Sequence, residues 1–266
     1  MLIDTHCHLT SPELAPRLAS VLAAARAAGV GRIIVVAVNT ADARAALNVV
    51  KAHAELSFVA GIHPHEAGRC DDEDLAALAE LLRGKGAAAG LQERIVGVGE
   101  IGLDFHYDFA PRDRQERVFR AQLTLASELA RPVVIHARES ESRVCDILPE
   151  YPGVAERTVF HCFSADVAVA RRALDLGCLL SFTGVVTFRK AETIQAVARF
   201  VPADRMMLET DAPYLSPEPM RKVRPNEPAL LVHTARFLAD LRGVALDALA
   251  AATTANAVRF FRLPED

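Results

Sequence analysis

Eight short apolar runs rich in β-branched residues alternate with stretches of helical character along the chain of 266 residues. Such runs predict parallel strands that helices bury on both faces. The predicted strands are residues 2–4, 32–38, 57–61, 95–99, 132–136, 158–161, 178–182 and 206–209. The predicted helices are residues 12–28, 41–54, 72–82, 112–130, 140–148, 166–176, 191–200, 228–241 and 246–261. Eight strand–helix units in this length are typical of the α/β class and of a (β/α)8 TIM barrel, and we expect a single domain over residues 1–266.

The residues that follow the first predicted strand favour a barrel over a doubly wound open sheet. The open sheet needs a glycine-rich phosphate loop at this point, and the chain instead has His6 and His8 in the sequence Asp4-Thr5-His6-Cys7-His8. In an extended strand, residues two apart point to the same side. Two imidazoles placed in this way can bind one metal ion.

Other polar residues stand where later predicted strands end, which is where barrel enzymes carry their active sites. His63 and His65 follow the third strand, and Glu100 and Asp104 follow the fourth. The residues at the ends of the fifth, sixth and eighth strands are His136, His161, Glu209 and Asp211. A ring of imidazoles and carboxylates at one barrel mouth is a ligand set for two divalent ions, with Zn, Mn and Mg as candidates. Two such ions generate hydroxide at neutral pH and clamp an oxygen substrate, so the pattern predicts metal-assisted hydrolysis.

Several of these candidates also have another interpretation. Glu100 can cap the following turn, and His136 and His161 can be hydrogen-bonded core histidines. His63 and His65 are as compatible with contacts to substrate as with metal ligation. Asp104 can orient a ligand rather than bind the metal. Arg138 can hold a substrate phosphate or pair with a neighbouring glutamate.

Ordered motifs over nearly the whole chain resemble the TatD family of metal-dependent deoxyribonucleases, which have amidohydrolase-type barrels. The motifs are DTHCHL at 4–9, GIHPH at 61–65, GEIGLDFHYD at 99–108, PVVIHARES at 132–140, HCFS at 161–164, SFTG at 181–184, LETDAPYLSP at 208–217 and RPNEP at 224–228. Two places depart from the family pattern. Ala165 stands where a glycine is usual, and residues 221–224 replace a turn that commonly contains glycine; both changes can alter substrate choice.

The resemblance implies a specific set of site residues. His6, His8, Glu100 and Asp211 would hold one divalent ion, and Glu100 would bridge to a second ion. The second ion's other ligands would be His136 and His161. His63 would contact the scissile phosphate, with His65 and Arg138 as further substrate contacts. Asp211 can also take the proton from the attacking water, so Asp211, His63 and Glu100 are the candidate catalytic residues.

The leading hypothesis is therefore a deoxyribonuclease that hydrolyses phosphodiesters as a 3′–5′ exonuclease, with two metal ions per subunit. An alternative is a hydrolase of another ester or amide, such as an aminoacyl-tRNA ester, because the same site can attack carbon or phosphorus. A binding or scaffold protein on the same barrel is a third hypothesis. It predicts that some of the ligand residues are absent from the sequence, and all of them are present.

Composition limits the partners. The net charge of −4 gives no basic field for an extended duplex, whose binding depends on many cationic contacts, so single-stranded DNA or a 3′ end is the expected substrate. The five cysteines form no CxxC pair and are expected to be reduced thiols. We find no signal segment and no membrane-spanning run, so a cytoplasmic protein without membrane contacts is expected.

Overall fold

The computed structural model describes residues 1–264. Its eight strands form one parallel sheet in the order β1 to β8, a nearly closed barrel with helices between the strands, so the predicted (β/α)8 TIM barrel is confirmed. The strands are β1 Leu2–Cys7, β2 Val30–Ala37, β3 Leu56–Ala60, β4 Ile95–Asp104, β5 Val133–Arg138, β6 Thr158–Phe160, β7 Leu179–Phe182 and β8 Met206–Leu208. An isolated parallel bridge joins Cys7, at the end of β1, to Ala212, just after β8.

Nine α-helices lie within residues 1–264. They are α1 Leu18–Ala27, α2 Thr40–Ala52, α3 Asp72–Leu82, α4 Arg112–Glu128, α5 Glu141–Ile147, α6 Val167–Asp175, α7 Glu192–Phe200, α8 Leu231–Arg242 and α9 Leu246–Phe261. Several begin or end on local signals in the sequence. Asp71 and Asp74 form a capping box at the start of α3, and Gly243 ends α8 in the left-handed conformation that favours glycine.

Packing divides the chain into two compact units. One comprises Met1–Val35, Cys162–Arg171 and the described residues from Leu179 onward, and the other comprises Val36–His161 and Arg172–Cys178. All of β1, β4 and β8 is buried, and the buried residues of β1 and β4 include polar ones, among them Asp4, His6, Glu100 and Asp104. The assignment of residues 1–266 to a single domain stays a prediction.

Strand β4 differs most from its predicted bounds. We predicted that it ends at residue 99, but it runs to Asp104, so Glu100 and Asp104 lie within the strand rather than after it. Its pairing with β5 shifts between Val98 and Ile101, where three steps on β4 match two on β5. A bulge of this kind re-aims side chains and is frequent beside active sites. Strand β5 likewise extends beyond its predicted end, which places His136 inside it.

Gly102 allows β4 to approach β5 closely at the level of His136. Its φ of +145° lies in a region that residues with a side chain rarely adopt. A Cβ atom at this position would stand 1.9 Å from the backbone oxygen of His136. Only glycine therefore fits beside this candidate ligand.

Two buried glutamines of α4 hold neighbouring strand ends. Gln115 and Gln122 are seven residues apart, so they share one face of the helix. The Gln115 side chain accepts a hydrogen bond from the Asp104 N–H and donates to the Asp104 and Ala110 carbonyls. The Gln122 side chain accepts from the Ile62 N–H at 2.7 Å and donates to the Ile62 carbonyl at 3.0 Å. One helix thus fixes the backbone next to His63 and at Asp104.

Gln122→Leu should lower the free energy of unfolding by about 2–4 kcal/mol, because it leaves the buried N–H and carbonyl of Ile62 without their partner. Urea unfolding followed by circular dichroism measures this change. Thr124→Ala, on the exposed side of the same helix, is the matched control and should change the value by no more than about 0.5 kcal/mol. Equal effects of the two substitutions would contradict the role assigned to Gln122.

No helix within residues 1–264 combines the length and the apolar character that crossing a bilayer requires.

Candidate metal centre

His6 and His8 converge at the end of β1. Their Nε2 atoms lie 3.3 Å apart, while the intervening Cys7 turns its sulfur toward the Ala212 carbonyl. Burial raises the pKa of the Cys7 thiol well above its usual range, so this sulfur stays protonated. The candidate metal donors at this strand end are therefore the two imidazoles.

Asp211 completes a triangle with these two histidines. Its Oδ1 lies 3.4 Å from His8 Nε2 and 3.8 Å from His6 Nε2. Ligands about 2.1 Å from an ion of the size of zinc stand roughly 3.0–3.4 Å apart. The His6–His8 and His8–Asp211 spacings match this range, and the 3.8 Å between Asp211 and His6 exceeds it by a few tenths of an ångström. Asp211 has a φ of +55°, a strained conformation for a residue with a side chain, and its N–H donates to the His6 carbonyl at 2.9 Å.

Asp4, which has no role assigned from sequence, supports this triangle through hydrogen bonds to the neighbouring backbone and to Thr210. The side chain is fully buried and accepts hydrogen bonds from the N–H and the hydroxyl of Thr210 at 2.9 and 2.6 Å. Burial raises the pKa of Asp4 to about 7, although these hydrogen bonds oppose the rise. The Thr210 hydroxyl in turn accepts from the Ala212 N–H, so the turn that carries Asp211 is held to β1.

Glu100 is the centre of a second group of donors. Its Oε1 lies 2.9 Å from His136 Nδ1, 3.5 Å from His63 Nε2 and 3.7 Å from His161 Nε2. Glu100, His136 and His161 offer ligand atoms that all lie within 4.8 Å of one another. His63, His65 and His136 form a further group of the same kind. Imidazole nitrogen with carboxylate oxygen is a donor set that suits Zn or Mn, whereas Ca²⁺ prefers oxygen alone.

The Asp104 carboxylate orients two of these histidines. Its Oδ2 lies 2.8 Å from His65 Nε2 and 3.0 Å from His136 Nε2. Burial alone would raise the pKa of Asp104, but the hydrogen bonds from His136 and His65 lower it well below its usual range. Burial alone would lower the pKa of His136, but its bonds to Asp104 and Glu100 raise it to about 8. With Nε2–H held by Asp104, the other ring nitrogen of His136 faces Glu100, as in carboxylate–histidine–metal arrangements.

His63 is neutral at physiological pH. Burial lowers its pKa to about 4, and the Glu100 carboxylate opposes this only in part. Its Nδ1 accepts the N–H of His65 at 3.1 Å. The proton of the neutral ring is therefore assigned to Nε2, on the side of Glu100.

Arg138 stands at the exposed end of β5. Its guanidinium lies 4.8 Å from the centre of the Tyr107 ring. Pairing with Glu139 or Glu141 is the alternative from sequence, and both glutamates have contacts elsewhere. Glu139 instead lies 2.6 Å from Nδ1 of His106, and Glu141 accepts the Ser140 N–H.

The two departures from the family pattern lie in ordinary local structure. Ala165 precedes α6, which begins at Val167. In the 221–224 segment, the Arg221 guanidinium stacks on the Phe188 ring at 3.5 Å, and Arg224 donates to the Ser216 hydroxyl at 3.0 Å.

Sequence reasoning missed several supporting residues that contact the candidate ligands or their loops. An aspartate inside an apolar strand, such as Asp4, is a usable signal, because a buried carboxylate needs hydrogen-bonding partners. A pair of glutamines on the apolar face of a helix, as in α4, is another. Nothing in the local pattern around Tyr107 and Phe109 indicates that both rings are exposed beside His65.

The chain is similar to known proteins in both sequence and structure. Residues 3–262 match the model of the family described as TatD related DNase. The uncharacterized metal-dependent hydrolase YabD of Bacillus subtilis is 36% identical over 263 residues, which are 99% of this chain and 100% of YabD. The 3′-5′ ssDNA/RNA exonuclease TatD of Erwinia amylovora is 35% identical over 98% of this chain and 100% of that protein. The crystal structure of YjjV, a TatD homologue from Escherichia coli K12, superposes with a TM-score of 0.91 at 30% identity, covering 99% of this chain and 98% of YjjV. The chain belongs to the family of TatD-related DNases.

Proposed function

We propose that this protein is a metal-dependent phosphodiesterase that removes nucleotides from the 3′ end of single-stranded DNA. The observation that carries the proposal is the position of Glu100, one carboxylate oxygen with three imidazole nitrogens within 3.7 Å. Membership of the TatD-related DNase family supports it, as does the activity for which the Erwinia relative is named.

Two ions are proposed for one subunit. His6, His8 and Asp211 would hold the first, with Glu100 as a further ligand, and Glu100, His136 and His161 would hold the second. The carboxyl ends of all strands in a barrel meet at one rim, which is the reason to assign both groups of donors to one centre with Glu100 as the bridge. When bound, the ions would neutralise the phosphate and lower the pKa of a water molecule. The mixture of imidazole and carboxylate leaves Zn, Mn and Mg as candidates.

Three side chains have separate proposed roles in the hydrolysis. The water oxygen would form a bond to phosphorus while the bond from phosphorus to the 3′ oxygen breaks, and Asp211 would accept the proton that the water loses. The 3′ oxygen would leave as the hydroxyl of the shortened strand after taking up a proton from solvent. His63 would donate its Nε2 proton in a hydrogen bond to a phosphate oxygen, which its neutral state and fixed Nδ1 allow. Asp104 keeps His65 and His136 in place throughout.

The charge of the chain favours a short strand end as substrate. A net charge of −4 does not support the many phosphate contacts on which duplex affinity depends. Arg138 and His65 are the proposed contacts to substrate, and Arg138 is exposed to solvent. The proposed substrate is therefore the end of a single strand.

The purified protein should release mononucleotides from a 3′-labelled single-stranded oligonucleotide in the presence of Mg²⁺, Mn²⁺ or Zn²⁺. EDTA should abolish the release because, without metal ions, the imidazoles and carboxylates of the site do not neutralise the phosphate. Metal analysis after reconstitution should find about two ions per chain, one for each donor group. Release that EDTA does not affect, or no release with any of the three metals, would refute the proposed activity.

His136→Ala and Asp211→Ala should each lower kcat/KM by at least about a hundredfold, because each removes a ligand from one of the two ions. Metal content should fall by about one ion per chain in each variant. His53→Ala removes a histidine outside the candidate site and should match the unmodified protein in both measurements. Wild-type metal content in either ligand variant would contradict the assignment of that residue.

Asp104→Asn tests the support of the ligands rather than the ligands themselves. Loss of the charge that holds His65 and His136 should lower the apparent metal affinity and kcat/KM by about 10- to 100-fold. A metal titration of activity measures both quantities. Asp113→Asn, an exposed aspartate at the start of α4, is the matched control. An unchanged metal affinity in Asp104→Asn would show that this carboxylate does not position the ligands.

A further inference from the structure

Two aromatic rings lie exposed on the segment between β4 and α4. Tyr107 is 41% exposed and Phe109 is 64% exposed, although phenylalanine is among the residue types most often buried. Their ring centres are 5.3 Å apart and the ring planes differ by 31°. We call these two rings the aromatic shelf.

The shelf is held rigidly by its backbone. Asp104 Oδ1 accepts hydrogen bonds from the N–H groups of His106 and Tyr107 at 3.0 and 2.9 Å. The Gln115 amide donates to the Ala110 carbonyl just beyond Phe109. His106 Nδ1 lies 2.6 Å from Glu139 Oε1, which ties the segment to the end of β5. A platform fixed in advance loses little conformational entropy when a ligand stacks on it.

The shelf adjoins the candidate metal centre. The His65 ring is 4.6 Å from Phe109 and 5.6 Å from Tyr107, measured between ring centres. The carboxylate that anchors the shelf through Oδ1 also holds His65 and His136 through Oδ2. A ligand on the shelf would therefore lie next to the bond that the centre is proposed to cleave.

A positive charge accompanies the rings. The Arg138 guanidinium lies over the Tyr107 ring and remains exposed. Aromatic faces combined with an arginine are the elements with which proteins bind unpaired bases and their phosphates. Two rings are too small for a stable protein interface, which buries about 1,200 Å² or more.

Exposed aromatic rings in residues 1–264 occur beside the candidate ligands. The large apolar side chains that are exposed include three aromatics, Tyr107, Phe109 and Tyr214. Tyr107 and Phe109 contact His65, and Tyr214 contacts His8 with ring centres 6.2 Å apart. Exposed aromatic faces that coincide with site histidines in this way favour a ligand that itself has a π-face.

We propose that Tyr107 and Phe109 stack a nucleobase of the strand end and thereby select unpaired, base-bearing 3′ ends. This inference rests on the proposed function, since it names the way that the same site recognises its substrate. Bases inside a duplex are stacked on their neighbours and unavailable to the shelf, so the rings provide specificity that the acidic chain does not obtain from phosphate contacts.

The test measures the dissociation constant of a short, 5′-labelled, single-stranded oligothymidylate by fluorescence anisotropy in EDTA, where cleavage does not interfere. A second oligonucleotide has stable abasic residues at its two 3′-terminal positions. Phe109→Ala should raise the dissociation constant for the base-bearing strand about tenfold. It should have a much smaller effect on the abasic strand, because the ring and the base are coupled. Phe109→Trp should retain the preference for bases, and Val244→Ala, an exposed apolar residue between α8 and α9, should behave as wild type.

The same variants are then assayed for cleavage with metal, where Phe109→Ala should raise KM more than it lowers kcat. If the protein cleaves DNA but its dissociation constant depends neither on the 3′ bases nor on the residue at position 109, base stacking on the shelf is refuted and the proposed activity stands. Base-dependent binding without cleavage under any metal would overturn the proposed activity and leave the shelf.

Discussion

The Asp104 carboxylate is the interaction on which the candidate centre most depends. One oxygen fixes the rings of His65 and His136, and the other fixes the backbone of the segment that carries Tyr107. The carboxylate is buried at the end of β4, and its own backbone is held by Gln115. A buried charge is costly unless it is fully hydrogen-bonded, and these bonds supply the compensation. The same bonds align the proposed catalytic and recognition groups.

The fold followed from the sequence because its signals are local and repeated. Helices α3 and α9 have the predicted bounds: a capping box marks the start of α3, whereas α9 begins without a side-chain cap. The chain alternates strand and helix throughout, and a parallel sheet is the arrangement that buries such strands. Strand β4 is longer than predicted, because Gly99 and Gly102 lie inside it and allow close approach to β5. The constraint that keeps these glycines in a strand comes from the neighbouring β5.

The candidate site was predictable in its residue types and less so in its supports. The candidate ligands stand at or near strand ends, so His6, Glu100 and Asp211 are recognisable from their positions. Asp4, Gln115 and Gln122 act by contacts with residues far away in the chain, such as Thr210 and Ile62. Exposure of Tyr107 and Phe109 depends on the course of a loop that Asp104 anchors. Such long-range pairings have no periodic signature.

Helix α4 carries a consequence for how this protein can diverge. Gln115 and Gln122 bind the backbone at Asp104 and Ile62, so helix α4 fixes the distance between the carboxyl ends of β3 and β4. The loop that follows Asp104 returns to helix α4 at Ala110, whose carbonyl accepts a hydrogen bond from Gln115. The intervening residues 105–109 form a loop with fixed ends, and their side chains take no part in the hydrogen bonds by which Gln115 and Gln122 hold the backbone at Asp104, Ala110 and Ile62. New substrate preferences can therefore evolve here at little cost to the chemistry.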